Sequence, residues 1–467
     1  MFIGRKNELA FLEDKYNTTG GQLVVLYGCR RVGKTETLRK FCEDKEHVFY
    51  SCTECTNEQQ LKAFSSRMLT KDIPAARYIK AFSDWEQALG SVLELPRTRE
   101  GKKLLIIDEF PYMVRNNSSI PSILQNLWDS CLKNEDVMII LCGSAMSFIE
   151  KKVLAEKNPL YGRATGILKM NEMNFYEAIK FFPNYSNLDK ITAYAVLGGI
   201  PHYLKQFDQS KSLEENIKRN ILQRGSILYS EVEFLMRQDL RETTVYNTII
   251  EAVALGNTKL NDIFQKTQID KNKLTVYLKN LIDLGIVRKE FPVSDGIKEQ
   301  VNVQRGLYQI TDNFFRFWYA FVFPNISELE GGDVDGINEY AIKPMLEQYT
   351  SHIYEDVCRE YLRHLNRQNA LPFRFIKIGR WWNKDTELDI MATDRDKKNF
   401  LLGECKFKNA AFNLSEMNAT LAKFKSKKKT VQLYYYLFSK SGFTDDVQKI
   451  AEEHGIKLVA LNDMFDE

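Results

Sequence analysis

Short apolar runs mark the first third of the chain, and each ends at a polar or glycine-containing turn. They cover residues 23–27, 104–107 and 137–142. Runs of this length without polar alternation are typical of strands in a parallel sheet that is buried on both faces. Residues 36–42 carry helical spacing soon after the first run. The succession of strand, loop and helix predicts an α/β fold built on a parallel sheet.

The loop between the first strand and its helix matches the phosphate-binding pattern G-x-x-x-x-G-K-[ST]. It consists of Gly28, Cys29, Arg30, Arg31, Val32, Gly33, Lys34 and Thr35. Gly28 and Gly33 let the backbone curl so that its N–H groups point at phosphate oxygens, and the helix N-terminus adds positive potential. Lys34 should reach the β- and γ-phosphates, and the Thr35 hydroxyl should bind Mg²⁺. The loop predicts ATP and Mg²⁺ as cofactors.

Polar residues follow the other two apolar runs. Asp108 and Glu109 come after the second run, and Ser144 comes shortly after the third. Asp108 can hold Mg²⁺ through water, and the adjacent Glu109 can polarise the attacking water. Ser144, after the third run, is either a sensor of the γ-phosphate or an ordinary turn residue. Arg163 precedes a further predicted strand at residues 166–170 and is either an arginine finger or a surface arginine.

The middle of the chain is mainly helical. Residues 174–241 carry helical spacing that is interrupted at residues 198–201, Gly-Gly-Ile-Pro, where the proline breaks a helix or starts a new one. Two helices near residues 260–284 and two strands near residues 286–310 then form a winged helix-turn-helix pattern. Its exposed lysines could contact DNA, but Asp262, Asp270 and Asp283 weaken that case, so a packing or regulatory role stays open.

The last part of the chain holds a second group of charged residues. Residues 330–333 mark a linker. Beyond it, Glu355 lies on a predicted helix, Asp389 on a strand, and Glu404 and Lys406 on the next strand. Two carboxylates on neighbouring strands suit Mg²⁺, with a lysine at the attacking water. The alternative is the charged outer face of an ordinary sheet, against which the apolar flanking residues argue.

The length and composition of the chain indicate how many domains to expect and in which cellular compartment the protein works. A chain of 467 residues should hold more than one domain, and its 44% hydrophobic and 27% charged residues indicate a globular protein. A net charge of +3 means that any basic binding surface must be local. No apolar run reaches membrane-spanning length and no signal peptide is evident. With eight scattered cysteines, we expect a cytoplasmic protein with reduced thiols and no membrane partner.

Taken together, the motifs resemble those of prokaryotic P-loop ATPases of the AAA+/STAND group, the kind often called archaeal-type ATPases. The resemblance rests on residues 2–5, the phosphate-binding loop, residues 107–109, 143–144 and 161–163, and the Gly-Ile-Pro run at residues 199–201, which looks like the G-x-P motif of STAND proteins. It implies that Pro201 lies against the adenine and that residues 2–5, with Gly4 and Arg5, complete the base pocket. A second sensor arginine of the usual AAA+ kind is not obvious, which leaves open whether Arg163 acts in cis or in trans.

The C-terminal part is similar to the PD-(D/E)xK nuclease-like domain often fused to such ATPases. Glu355, Asp389, Glu404 and Lys406 match that pattern, and residues 379–382 fit it as well. The resemblance implies metal ligation by the three acids and a catalytic lysine.

We therefore expect an ATPase core (residues 1–173), a helical lid (174–241), a winged helix (242–320), a linker (321–337) and a nuclease-like α/β domain (338–467). The favoured interpretation is an ATP-driven switch or motor coupled to DNA binding or cleavage. The rival is a STAND-type signalling ATPase whose C-terminal domains bind protein partners and whose nuclease-like domain is inactive. DNA and a second copy of the chain are the candidate partners.

Overall fold

The computed structural model of the chain describes residues 2–97, 101–296, 306–424 and 431–465. The chain forms two compact units: Met1–Met173 with Ile200–His202, and Asn174–Gly199 with Tyr203–Glu467. The division after Met173 coincides with the boundary expected for the ATPase core. Within the described ranges, no helix has both the length and the apolar character needed to cross a membrane.

The first unit alternates strands and helices in the predicted manner. Its strands are β1 (Gln22–Gly28), β2 (His47–Ser51), β3 (Lys103–Asp108), β4 (Val137–Gly143) and β5 (Gly166–Met170). Its helices are α1 (Lys6–Asn17), α2 (Lys34–Cys42), α3 (Asn57–Met68), α4 (Trp85–Gly90), α5 (Phe110–Asn116), α6 (Ile120–Ser130) and α7 (Met146–Lys152).

The five strands form one parallel sheet in the order β2-β3-β4-β1-β5. All residues of β1 and β4 are buried, which explains why their sequences show no polar alternation. The predicted parallel sheet is confirmed. Because β3, β4 and β1 run the same way, the loops after their carboxyl ends lie along one edge of the sheet, the edge where α/β proteins bind ligands.

The second unit opens with helices α8 (Phe175–Ala178) and α9 (Asn187–Leu197), and α10 (Pro201–Leu204) straddles the division between the units. The chain turns at Gly198, whose φ of 66° favours glycine, and Pro201 starts α10, one of the two outcomes predicted for this proline. The helices that follow are α11 (Leu213–Ile217), α12 (Ile227–Asp239), α13 (Thr243–Ala254), α14 (Leu260–Thr267) and α15 (Lys271–Asp283).

Helix α15 is followed by the antiparallel pair β6 (Val287–Glu290) and β7 (Leu307–Ile310). Leu274, Leu278 and Leu281 are buried, so they form the inner face of α15 as predicted. Gly285 has a φ of 75°, the conformation expected of a glycine just past a helix. The order of helices and strands agrees with the predicted pattern, and the assignment as a winged helix stays a prediction.

The segment expected to be a linker, residues 321–337, is folded. It contains α17 (Ile326–Glu330) and α18 (Val334–Ile337), after α16 (Asn313–Phe317) and a π-helical turn at Trp318–Val322. Leu329 and Ile337, which belong to these short helices, are buried. The linker was predicted from the Gly-Gly pair that lies between the two helices.

The last part of the chain forms a mixed sheet in the order β12-β11-β10-β9-β8. It begins with the long helix α19 (Leu346–Arg367). The remaining elements are β8 (Lys377–Trp382), β9 (Glu387–Thr393), β10 (Asn399–Lys406), α20 (Leu414–Ala422), β11 (Gln432–Ser439), α21 (Asp445–His454) and β12 (Lys457–Ala460). Strands β8, β9 and β10 pair antiparallel, whereas β10, β11 and β12 pair parallel.

Candidate functional site

The phosphate-binding loop is built where β1 turns into α2. A Cβ on Gly28 would lie 2.1 Å from the carbonyl oxygen of Met170, so only glycine fits at the end of this strand. Gly33 has a φ of 94° and caps α2 without a side-chain hydrogen bond. The first N–H groups of α2 therefore lack a capping side chain and are the kind of donors that bind phosphate.

Lys34 is a buried cation at the start of α2. Its Nζ donates to the carbonyl oxygens of Gly28 (2.9 Å) and Cys29 (2.8 Å). Burial lowers the pKa of Lys34, and the charges of Glu109 and Asp108 counteract part of that shift. A polyanionic ligand in this loop would supply the negative charge that a buried ammonium group needs.

The Thr35 hydroxyl and the Asp108 carboxylate lie together, although 73 positions separate them in the sequence. Thr35 Oγ1 donates to Asp108 Oδ2 at 2.8 Å, and the Glu109 N–H donates to Asp108 Oδ1 at 3.0 Å. A hydroxyl and a carboxylate oxygen at this spacing suit Mg²⁺, which takes only one or two protein ligands when it also binds substrate phosphates. The residues predicted to hold Mg²⁺ thus fit the ion.

Glu109 and Ser144 form the second polar pair at this edge of the sheet. Ser144 Oγ donates to Glu109 Oε2 at 2.9 Å. Glu109 has a φ of 51°, in the left-handed region that a non-glycine residue adopts at a cost of order 1 kcal/mol or more. This conformation places the carboxylate at the strand ends beside Asp108. The sequence predicted Glu109 for catalysis and Ser144 as either a γ-phosphate sensor or a turn residue, and the structure brings the two side chains into direct contact.

Arg5 and Pro201 both approach the phosphate-binding loop. Arg5 is buried, and its Nη2 donates to the carbonyl oxygen of Val32 at 2.7 Å while its Nη1 contacts Glu8 Oε1 at 2.8 Å. Pro201 Cγ lies 3.7 Å from the place where Gly33 would carry a Cβ. Arg5 and Pro201, two of the residues predicted for the base pocket, therefore border the loop, and the pocket itself stays a prediction.

The Arg163 side chain is hydrogen-bonded to α6 rather than to the phosphate-binding loop. Its Nε and Nη2 donate to both carboxylate oxygens of Asp129 on α6, at 2.7 to 3.1 Å, and its Nη1 donates to the carbonyl oxygen of Pro159 at 3.0 Å. Arg163 lowers the pKa of Asp129. None of the hydrogen bonds found for Arg163 in the described part of the chain reaches the phosphate-binding loop or Glu109. Its role as a finger stays a prediction.

In the second unit, the register of β9 and β10 brings the predicted acids side by side. Ile390 pairs with Gly403, so Asp389 falls next to Glu404. Asp389 Oδ2 accepts a hydrogen bond from the Cys405 N–H at 2.8 Å. Burial and the Glu404 carboxylate raise the pKa of Asp389 to about 6.

Glu355 approaches the same place from α19. Its carboxylate lies 3.6 Å from Arg359 and 3.6 Å from Arg380. Burial raises the pKa of Glu355 to about 8, with Asp389 adding to the shift and the two arginines opposing it. Glu355 also lines a cavity of about 490 Å³ within this unit. The three acids therefore lie close enough to influence one another's charge.

Two lysines hold Glu404. Lys406 Nζ donates to Oε1 at 2.9 Å, and Lys423 Nζ donates to Oε1 at 2.7 Å and to Oε2 at 2.6 Å. The sequence predicted Lys406 but not Lys423, because Lys423 follows the end of α20 and belongs to no recognised spacing. Across the described ranges, no three His, Cys, Asp or Glu side chains are grouped as a ready metal site.

The β6–β7 pair contacts the C-terminal sheet. Glu290 lies 3.5 Å from Arg380, and the Val293 N–H donates to the Arg380 carbonyl oxygen at 2.9 Å. Val293 also packs on the apolar cluster of β9 and β10 that contains Leu388 and Leu402. Val293, shortly after β6 in the predicted wing, is therefore used for packing within this unit.

Comparison with known proteins finds two family models, one that matches the N-terminal part of the chain and one that matches the C-terminal part. Residues 2–207 match the family model of an ATPase domain predominantly from Archaea. Residues 318–422 match the family DUF234, described as archaea bacterial proteins of unknown function. The chain is also 36% identical over 411 residues to the uncharacterized protein MJECL04 of Methanocaldococcus jannaschii, with 88% of each chain covered. It belongs to the family of that archaeal protein.

All residues predicted to bind nucleotide lie within the matched ATPase domain, and Glu355, Asp389, Glu404 and Lys406 lie within the DUF234 match. A shorter likeness, 54% identity over 46 residues, links the chain to the uncharacterized ATP-binding protein MJ0423 of the same organism. It covers 10% of this chain and 78% of that protein.

Two solved structures are more distant. The Walker-type ATPase PABY2304 of Pyrococcus abyssi has a TM-score of 0.46 at 20% identity, with 68% of this chain and 96% of that chain covered. The ORC2 protein of Aeropyrum pernix has a TM-score of 0.41 at 13% identity, with 72% and 94% covered.

Proposed function

We propose that the chain hydrolyses ATP in its first unit and that its second unit binds DNA and cleaves it with a divalent metal ion. The observation that carries the ATPase part is the meeting of two polar pairs, Thr35 with Asp108 and Ser144 with Glu109, beside the phosphate-binding loop. These four residues come from three separate stretches of sequence, and each has the chemistry that phosphoryl transfer to water requires.

Each residue has one task in this reaction. Lys34 turns from the loop carbonyls to the β- and γ-phosphates, where its charge is better compensated. Thr35 and Asp108 would hold Mg²⁺, which would supply charge neutralisation on the phosphates. Glu109 accepts a hydrogen bond from the attacking water and polarises it, and Ser144 keeps the Glu109 carboxylate oriented.

A second copy of the chain is part of the proposal. The Arg163 guanidinium is already paired with Asp129, so a finger role requires it to exchange that carboxylate for a phosphate. The pair is partly exposed, so solvent screens the attraction between the two charges and the guanidinium can exchange one anionic partner for another. Contact between two subunits would bring a bound phosphate to the Arg163 guanidinium and so favour the exchange.

The nuclease part rests on the acids of β9, β10 and α19. Asp389 and Glu404 supply oxygen ligands of the kind that hard divalent ions prefer, and they lie on adjacent strands. We propose that they bind Mg²⁺ or Mn²⁺, that Glu355 orients the ligands, and that Lys406 positions the attacking water. For DNA contact, the exposed Lys271, Lys273 and Lys279 of α15 are the candidates, since Val293, just after β6, is packed on the C-terminal sheet.

One observation favours a second function. Both oxygens of Glu404 already accept hydrogen bonds from Lys423, which leaves the carboxylate neutralised without a metal ion. If that arrangement is permanent, the domain is a binding module, and the chain is a STAND-type signalling ATPase whose second unit engages protein partners.

A cleavage and binding assay separates the two functions. The full chain is incubated with supercoiled plasmid or short duplex DNA, with Mn²⁺ or EDTA, and with or without ATP. The nuclease proposal expects Mn²⁺-dependent nicking that Asp389→Asn abolishes and Lys34→Ala does not. DNA binding without nicking would leave a DNA-responsive ATPase, and the absence of both at low salt would favour the signalling function.

A further inference from the structure

We infer that Lys423 is an internal counter-ion of Glu404 that a divalent metal ion must displace before the C-terminal site can form. The inference rests on the proposed metal site and adds to it a residue that the motif does not contain. It concerns access of the ion to the site and is separate from the chemistry that the ion supplies.

The carboxylates of Glu404 and Asp389 differ in how many of their oxygens accept hydrogen bonds. Glu404 is buried, with 5% of its side chain exposed, and both of its oxygens accept hydrogen bonds from Lys423. Asp389 uses only Oδ2, which accepts from the Cys405 N–H. Among the described residues, no hydrogen bond reaches Asp389 Oδ1. One ligand is thus available to a cation, and the other is held by a competing cation.

Lys423 and Lys406 hold Glu404 in distinct ways. Lys406 makes one hydrogen bond, to Oε1 at 2.9 Å, and leaves Oε2 to other partners. Lys423 bridges both oxygens at 2.6 and 2.7 Å, the short range of charge-assisted bonds. A metal ion that binds Glu404 must therefore compete with Lys423 for both carboxylate oxygens, and with Lys406 for Oε1 alone.

The position of Lys423 allows this exchange. Its backbone is the C-terminal cap of α20, outside the sheet that carries the acids, and 26% of its side chain is exposed. A lysine has a flexible four-carbon side chain and a strongly hydrated head group, so the ammonium can move to solvent once a metal ion takes over the Glu404 carboxylate. Glu404, fixed within β10, stays in place and keeps its orientation for the ion.

The test is Mn²⁺ binding to the full chain, measured by isothermal titration in the absence of nucleotide. Lys423→Gln removes the charge and keeps an N–H donor. Lys423→Arg keeps the charge. Lys408→Gln is the matched control, because Lys408 makes a 2.7 Å pair with Glu416, outside the site. Asp389→Asn identifies which binding belongs to the C-terminal site, and melting curves without metal check that each variant is folded.

We expect Lys423→Gln to bind Mn²⁺ at least tenfold more tightly than the parent, and Lys423→Arg and Lys408→Gln to match the parent within about twofold. Detectable binding in Lys423→Gln alone would also support the inference. Parental or weaker affinity in Lys423→Gln, with Asp389-dependent binding in the parent, would overturn it and leave the metal site standing. No Asp389-dependent binding in any variant would overturn both the inference and the nuclease proposal, without touching the ATPase proposal.

Discussion

Replacement of Ser144 by alanine tests the polar pair on which the proposed ATPase chemistry depends. The change removes the 2.9 Å hydrogen bond from Ser144 Oγ to Glu109 Oε2. The Ser144 N–H remains 3.4 Å from the same oxygen, so the carboxylate keeps one weak contact. We expect Glu109 to sample orientations that do not face the attacking water.

The size of the effect follows from the kind of bond. A hydrogen bond to a charged group contributes about 1.5–3 kcal/mol. Both side chains are only partly buried, so the lower end applies, and about 1.5 kcal/mol corresponds to a roughly tenfold change in rate. Ser144→Ala should therefore lower kcat about tenfold. Nucleotide affinity should change little, because the side-chain hydrogen bonds found for Ser144 among the described residues go to Glu109 and none reaches the phosphate-binding loop.

Steady-state phosphate release gives kcat and KM, and a fluorescent ATP analogue gives the nucleotide Kd independently. Ser144→Thr is the control, since it retains a hydroxyl in the same position and should keep most of the activity. A parental kcat in Ser144→Ala would refute the positioning role. An increase in kcat would mean that the hydrogen bond holds Glu109 away from the water.

Three other predictions concern separate parts of the chain. If Arg163 acts in trans, turnover per subunit should rise steeply with protein concentration, and mixing Arg163→Ala with Lys34→Ala subunits should restore part of the activity. Total activity that is strictly proportional to protein concentration, with no rescue on mixing, would rule out a role in trans. Asp389→Asn should remove any rise in melting temperature that Mn²⁺ gives the parent, while ATP turnover stays parental. Asp312 caps α16 through the N–H groups of Phe314 and Phe315, and burial, with Glu231 nearby, raises its pKa to about 7. Because the folded chain binds this proton more tightly than the unfolded chain, stability should fall as pH rises from about 4 through 7. Asp312→Asn should therefore melt higher than the parent at pH 8, and the difference should shrink steadily as the pH is lowered toward 4.

The nucleotide site could be predicted from the sequence because each of its parts is specified by a short stretch of neighbouring residues. The strand β1, the glycine turns and the start of α2 are contiguous, and the ends of parallel strands meet at one edge. Asp108, Glu109 and Ser144 follow strands of that kind, so their placement required no knowledge of long-range packing. The adjacency of Asp389 and Glu404 was predictable for a similar reason, since neighbouring strands in register bring their side chains together.

The parts that sequence reasoning missed depend on tertiary contacts between distant segments. Asp129 lies 34 positions from Arg163, and nothing in the spacing links them. Lys423 reaches Glu404 from the end of a helix, where a lysine is ordinarily solvated. The contact of Val293 with the C-terminal sheet, and the folded state of residues 321–337, likewise depend on packing that no local pattern encodes.

The most direct test of the account is ATP hydrolysis by Glu109→Gln beside the parent and Lys34→Ala. The amide keeps the shape of the carboxylate but cannot polarise water, so Glu109→Gln should bind ATP·Mg²⁺ with parental affinity and lose turnover. Lys34→Ala should lose phosphate contacts and bind weakly. Hydrolysis by Glu109→Gln at the parental rate would contradict the account, because the attacking water would then be activated by some other group.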